Sequence, residues 1–121
     1  MKNREIVITV LGNNYKVAYP NVGQMIDLSI RENVLAKGQF KDLIMSGLPD
    51  HMESYAMIKT IAFIDIMLPQ LVKDLKTENL LDLDPVDFQE ISNVYFETIM
   101  PWLDEWRKSI LEAPKKENVL P

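Results

Sequence analysis

IVITVLGNNYKVAY, residues 6–19, decides the fold. β-branched residues alternate with others, a Gly-Asn-Asn segment interrupts them, and the pattern returns before stopping at Pro20. This is the sequence form of a β-hairpin spanning residues 5–19. A two-residue loop at Gly12-Asn13 or at Asn13-Asn14 supplies the positive-φ positions that such turns need. Either register puts Ile6, Ile8 and Val10 on one face with Tyr15, Val17 and Tyr19. The opposite face carries Val7, Thr9, Leu11, Lys16 and Ala18 and is more polar. A lone hairpin is marginal in water, so its apolar face must lie on something else.

Everything beyond Pro20 carries the helical period. Asn21 with Gln24 forms a capping box, and Val22, Met25, Ile26, Ile30 and Val34 trace an apolar stripe expected to face inward, as far as about Ala36. Gly38 ends that helix. A short helix follows with Phe40, Leu43 and Ile44 inward, closed by Gly47. Asp50 is expected to cap a third helix, whose segment from Tyr55 to Leu68 is apolar almost all round and therefore central. Pro69 ends or kinks it, a shorter piece carries Leu71, Val72 and Leu75, and the connecting segment Thr77 to Leu83 is expected to tuck Leu80, Leu81 and Leu83 under the core. Asp84-Pro85 starts the next helix. Its stripe of Phe88, Ile91, Tyr95, Ile99, Trp102, Trp106 and Ile110 contains Pro101, where a kink or restart is expected. The expectation is thus an α+β, mostly helical fold: a two-stranded hairpin and a compact bundle of about five helices. One domain covers residues 1–112, with the helical body over 21–112 and a flexible tail over 113–121.

Composition fits this and excludes several classes of function. The 121 residues are 47% hydrophobic and 26% charged, enough for a core. The net charge of −5 argues against phosphate-backbone binding, and the basic residues Arg107, Lys108, Lys115 and Lys116 are interleaved with acids. No apolar run reaches membrane-spanning length. MKNREIVITV leads directly into the hairpin, so no cleavable signal peptide is expected, and the lack of cysteine fits a cytoplasmic setting.

Chemistry is not expected. The only histidine, His51, falls in the first turn of a helix, an unfavourable place for an imidazolium. Metal cages, thiol nucleophiles and glycine-rich phosphate loops have no candidates, and LLDLDPVD shares only its alternating Asp with a calcium loop. No catalytic, cofactor-binding or metal-binding residue is therefore assigned. The candidates are for partner contact. Tyr15, Val17 and Tyr19 belong to a hairpin whose unpaired edges invite strand addition or self-association. Asp65 is an isolated charge in IAFIDIML, satisfied either by a basic side chain of the same domain or by an intersubunit ion pair. Trp102 and Trp106, one turn apart, belong either to the core stripe or to a contact surface.

The order ITVLGNNYKVAYPNVGQMIDLSI, GQFKDLIMSG, an apolar helix, then LDLDPVDFQEISNVYFETIMPWLDEWRKSI resembles small proteins of tailed bacteriophages, most of all the tail assembly chaperone type. The resemblance covers roughly residues 5–112 and lies in layout, with no invariant motif. It implies a non-enzymatic protein that acts in the host cytoplasm during assembly. Its partner would be a phage structural protein: a tail tube or tape measure subunit, or a capsid or connector protein. A permanent virion subunit, such as a capsid auxiliary or connector protein, has the same size and helix content.

Overall fold

A computed structural model describes the backbone over residues 4–117 and the side chains over 4–112. Strands β1 (Glu5–Val10) and β2 (Asn13–Ala18) form a two-stranded antiparallel sheet. Six helical segments follow: α1 (Val22–Leu35), α2 (Phe40–Ser46), α3 (Pro49–Met67), α4 (Pro69–Asp74), α5 (Pro85–Val94) and α6 (Met100–Glu117). A 3₁₀ turn at Leu80–Asp82 precedes α5, and a π-helical turn at Tyr95–Ile99 joins α5 to α6. Because that turn makes α5 and α6 one continuous rod, the molecule is a hairpin and five helical bodies, the α+β and mostly helical architecture expected.

The hairpin turn lies at Leu11-Gly12, one and two residues earlier than the two expected positions. Both residues have positive φ, 50° and 83°, as a type I′ turn requires. Gly12 takes this without strain. Leu11 does not, and its N–H is anchored by the Glu90 carboxylate on α5. The register pairs Ile6 with Val17, Ile8 with Tyr15 and Val10 with Asn13. It differs from the expected registers by slides of two and four residues, which leave every side chain on its own face. The face assignment therefore holds: Ile8, Val10, Tyr15 and Val17 are buried, while Val7 is exposed.

The core forms where that face meets α3. Ile61, Phe63, Ile64 and Leu68 from α3, Leu71 from α4, Leu80, Ile91 from α5, and Tyr95 and Ile99 from the π turn join the four hairpin residues. Tyr95 packs between Phe63, at 5.3 Å, and Phe96, at 4.9 Å. Its burial pushes its hydroxyl well above the ordinary tyrosine range. The π turn has a local cause. Pro101 has no N–H, and its ring crowds the carbonyl four residues back, that of Glu97. Widening the preceding turn, with the Met100 N–H donating to the Tyr95 carbonyl, lets the rod pass Pro101, where a kink or restart is expected.

Helix α1 departs from expectation. Its capping box is present, with the Gln24 N–H donating to Asn21 Oδ1 at 2.8 Å and the Asn21 N–H to Gln24 Oε1 at 3.0 Å. Its end is a Schellman closure, in which the Gly38 N–H reaches the Asn33 carbonyl and the Lys37 N–H the Val34 carbonyl. The face is reversed, however: Val22, Met25, Ile26, Ile30 and Val34 all point outward. The side toward α3 carries Leu28, Leu35 and two ion pairs, Arg31 Nε to Asp65 Oδ2 at 2.8 Å and Lys59 Nζ to Glu32 Oε2 at 3.2 Å. The Arg31 N–H does not point along its contact, so that pair attracts by charge without an aligned hydrogen bond. Each pair contributes little stability by itself. Both lie on the side of α1 that docks.

Two smaller corrections concern α3 and the C-terminal end. The α3 N-cap is Leu48 with Pro49 at the first helical position, not Asp50, because the fixed φ of proline starts the helix without a side-chain cap. The α6 backbone continues past Ala113 to Glu117. The rest of the expected tail, residues 118–121, lies outside the described residues.

On the far side of the hairpin, the Tyr15 hydroxyl donates to Asp74 Oδ2 at 2.7 Å, tying β2 to α4. That bond, with a second from Gln70, holds the Asp74 carboxyl below its ordinary value of 3.8. A carboxyl lowered by folding adds stability above its unfolded pKa and loses it as pH falls through the folded one. Tyr15→Phe should therefore be less stable than the parent at neutral pH, and the gap should close between about pH 5 and pH 2. Urea denaturation of both proteins across that range tests this; a gap that does not change with pH would mean the bond is absent.

Candidate partner-binding site

An apolar groove of about 360 Å³ lies between α3 and the segment leading into α5. Helical spacing builds one wall: Ser54, Met57, Ile58 and Ile61 share a face of α3. The other wall is Leu80, Leu81, Leu83, Pro85 and Phe88. The 3₁₀ turn divides the leucines among different tasks. Leu80 enters the core, Leu83 is half-buried, and Leu81 stands exposed on the rim beside exposed Met57. The sequence reading expected all three leucines under the core, but a 3₁₀ turn of three residues points successive side chains in different directions.

The rim is acidic. Asp50 and Glu53 lie one turn before Ser54 and Met57 on the same flank of α3. Asp82 and Asp84 flank Leu83, and Asp87 precedes Phe88. No Lys or Arg occurs from Thr77 to Trp106, nor in α3 before Lys59, which is turned toward Glu32. Asp84 also caps α5, accepting from the Val86 N–H at 2.8 Å. A groove of this kind accepts an apolar side chain and favours cationic neighbours around it.

The six residues singled out from sequence fall into three groups. Tyr15 and Val17 are in the core, so in this chain their side chains serve packing and offer no open surface. Asp65 is paired with Arg31 of the same chain, the intradomain alternative of the two expected for it. Tyr19, Trp102 and Trp106 come together: the Tyr19 ring meets Trp102 edge-on at 5.9 Å and Trp106 at 6.1 Å. Arg4 stacks over Trp106 at 5.5 Å. All three rings are half-buried. This aromatic clasp fastens the open end of the hairpin to α6, and Tyr19 also reaches a wider recess of about 530 Å³ with Tyr55, Tyr95 and Arg107.

The groove residues Met57, Ile58, Leu81 and Phe88 were not expected as a site. Their one signal in the sequence is a leucine-rich turn set among aspartates. His51 is exposed, with Nδ1 2.8 Å from Ser46 Oγ, at the α2–α3 junction. Among the described residues no three His, Cys, Asp or Glu side chains gather as a metal site would require, and no helix is long and apolar enough to cross a membrane. No protein-family model, curated protein or solved structure matches the chain.

Proposed function

We propose that this chain is a non-enzymatic assembly protein of a tailed bacteriophage, of the tail assembly chaperone type. It holds an apolar segment of a structural protein in the α3–α5 groove until assembly in the host cytoplasm. The observation that carries this reading is the open apolar groove, whose walls come from two segments rich in Asp and Glu. Seating one leucine-sized side chain there contributes about 1.5–3 kcal/mol by burial, so several anchors at helical spacing are needed for a lasting complex. The rim selects a segment whose anchors are flanked by Lys or Arg and repels acidic ones. Exposed Met57 gives the groove wall an adaptable side chain, which suits a client segment of varied shape. The layout resemblance supplies the phage setting.

Tagged protein recovered from its source lysate, with mass spectrometry of what accompanies it, tests the reading. The expected result is one tail protein, lost when Met57→Lys and Leu81→Lys are combined. Both positions are exposed, so the double variant should fold with an unchanged circular dichroism spectrum. Capsid or connector proteins in fixed ratio would replace this reading with a permanent virion subunit. Recovery unaffected by the groove substitutions would remove the groove from the mechanism.

A further inference from the structure

We propose that the outer face of α1 seats a second copy of this chain, packed antiparallel about a two-fold axis near Ile30. Val22, Ile26, Ile30 and Val34 recur every fourth residue and are 72%, 54%, 57% and 60% exposed. Side chains four apart form the ridges that interlock in the commonest helix crossing, so such a ridge fits a copy of itself. Gly23, Ser29 and Asn33 lie beside it, all exposed and short enough to leave grooves for the opposing ridge. A two-fold interface requires that when one residue meets a second, the second meets the first. With Ile30 on the axis, Ile26 lies against Val34 of the other copy, and Val34 against its Ile26.

Charge selects the direction. On the exposed side of α1 and its closing turn, the charged residues are Asp27, in the N-terminal half, and Lys37, just past the C-terminus. Antiparallel packing brings each Asp27 toward the half of the other copy that bears Lys37, and it also opposes the helix dipoles favourably. Parallel packing would set Asp27 on Asp27 and Lys37 on Lys37. The chain as a whole carries −5, which opposes self-association elsewhere on its surface; this face is neutral. The charged, ion-paired side of α1 is already committed to α3, which leaves the apolar side without cover.

Size sets the expected strength. A stable pair of subunits removes about 800 Å² from each, whereas a helix of fourteen residues is only ~21 Å long. The ridge alone is a narrow seam. Helix α2 follows directly and packs on the same α3, and it brings exposed Ile44, Met45 and Leu48. The dimer is accordingly a concentration-dependent one. None of the ridge residues lines the α3–α5 groove, so dimer and partner binding stand or fall separately.

Sedimentation velocity of the full chain over a concentration series should show mass moving from one chain toward two. Ile30→Asp, at an exposed position, should raise the dissociation constant at least tenfold while the circular dichroism spectrum stays the same. Because the chain has no cysteine, Ile30→Cys introduces a single thiol on the axis, and mild oxidation should link two copies efficiently. A spin label on Val22→Cys should report a separation of roughly 25 Å between copies, since each site lies eight residues from the axis at 1.5 Å per residue. A monomer at every concentration would overturn the proposal, as would a dimer insensitive to Ile30→Asp or labels at Val22 in close contact. The Met57→Lys, Leu81→Lys variant should dimerise like the parent, which separates failure here from failure of the groove.

Discussion

Phe63→Ala should lower the melting temperature by roughly 15–25 °C, the largest stability loss expected from a single truncation of this chain. Phe63 is 2% exposed near the middle of α3, and its ring packs on Tyr95 at 5.3 Å. Removing a buried phenyl ring costs about 3–5 kcal/mol, partly in lost burial and partly in the cavity left behind. Domains of this size hold only about 5–15 kcal/mol in total. The cavity cannot collapse easily, because the surrounding residues come from separate elements: the hairpin, α3 and the π turn. Thermal unfolding followed at 222 nm measures the effect, and Phe63→Leu should show less than half of it. A loss for Phe63→Ala under about 1 kcal/mol would mean that α3 is not the central element, because truncation of a solvated ring has little effect.

The same packing explains what could be read from the chain beforehand. Ile8, Val10, Tyr15 and Val17 were legible as one face because strand periodicity is local and survives slides of two and four residues. Asn21-Gln24 and Asp84-Pro85 were legible because a cap is a contact between neighbours. The side on which α1 docks was not legible. The docked side carries Arg31 meeting Asp65 and Glu32 meeting Lys59, pairs made across elements that no local pattern in the sequence reveals. Trp102 and Trp106 left both core and contact open because the ring they pack on is Tyr19, in another element. The groove escaped for the same reason, since α3 supplies one wall and the Leu80–Phe88 segment the other. Pro101 announced a disturbance, but not that it would take the form of a π turn ending just before it.

Val17→Asp and Val7→Asp should differ as sharply as two substitutions ten residues apart in one hairpin can. Val17 is fully enclosed (0% exposed) and Val7 is 64% exposed on the opposite face. An aspartate at 17 has no cation within the core cluster to pair with, so the carboxylate must be desolvated, become protonated, or pull the hairpin off α3. Leaving a buried charge uncompensated costs about 3–5 kcal/mol, enough to detach two strands that are marginal by themselves. At position 7 the same carboxylate stays in water, and the change should be within about 0.5 kcal/mol. The molecule carries its own reporter: its two tryptophans, Trp102 and Trp106, both touch Tyr19 at the end of the hairpin. Detachment in Val17→Asp should shift their emission to longer wavelength while most of the helical circular dichroism persists. Val7→Asp should leave both signals at the parental values. Equal behaviour of the two variants would mean that the hairpin is not fixed by its Ile8–Val17 face. In that case the aromatic clasp and the hydrogen bonds to Asp74 and Glu90 would hold it to the bundle.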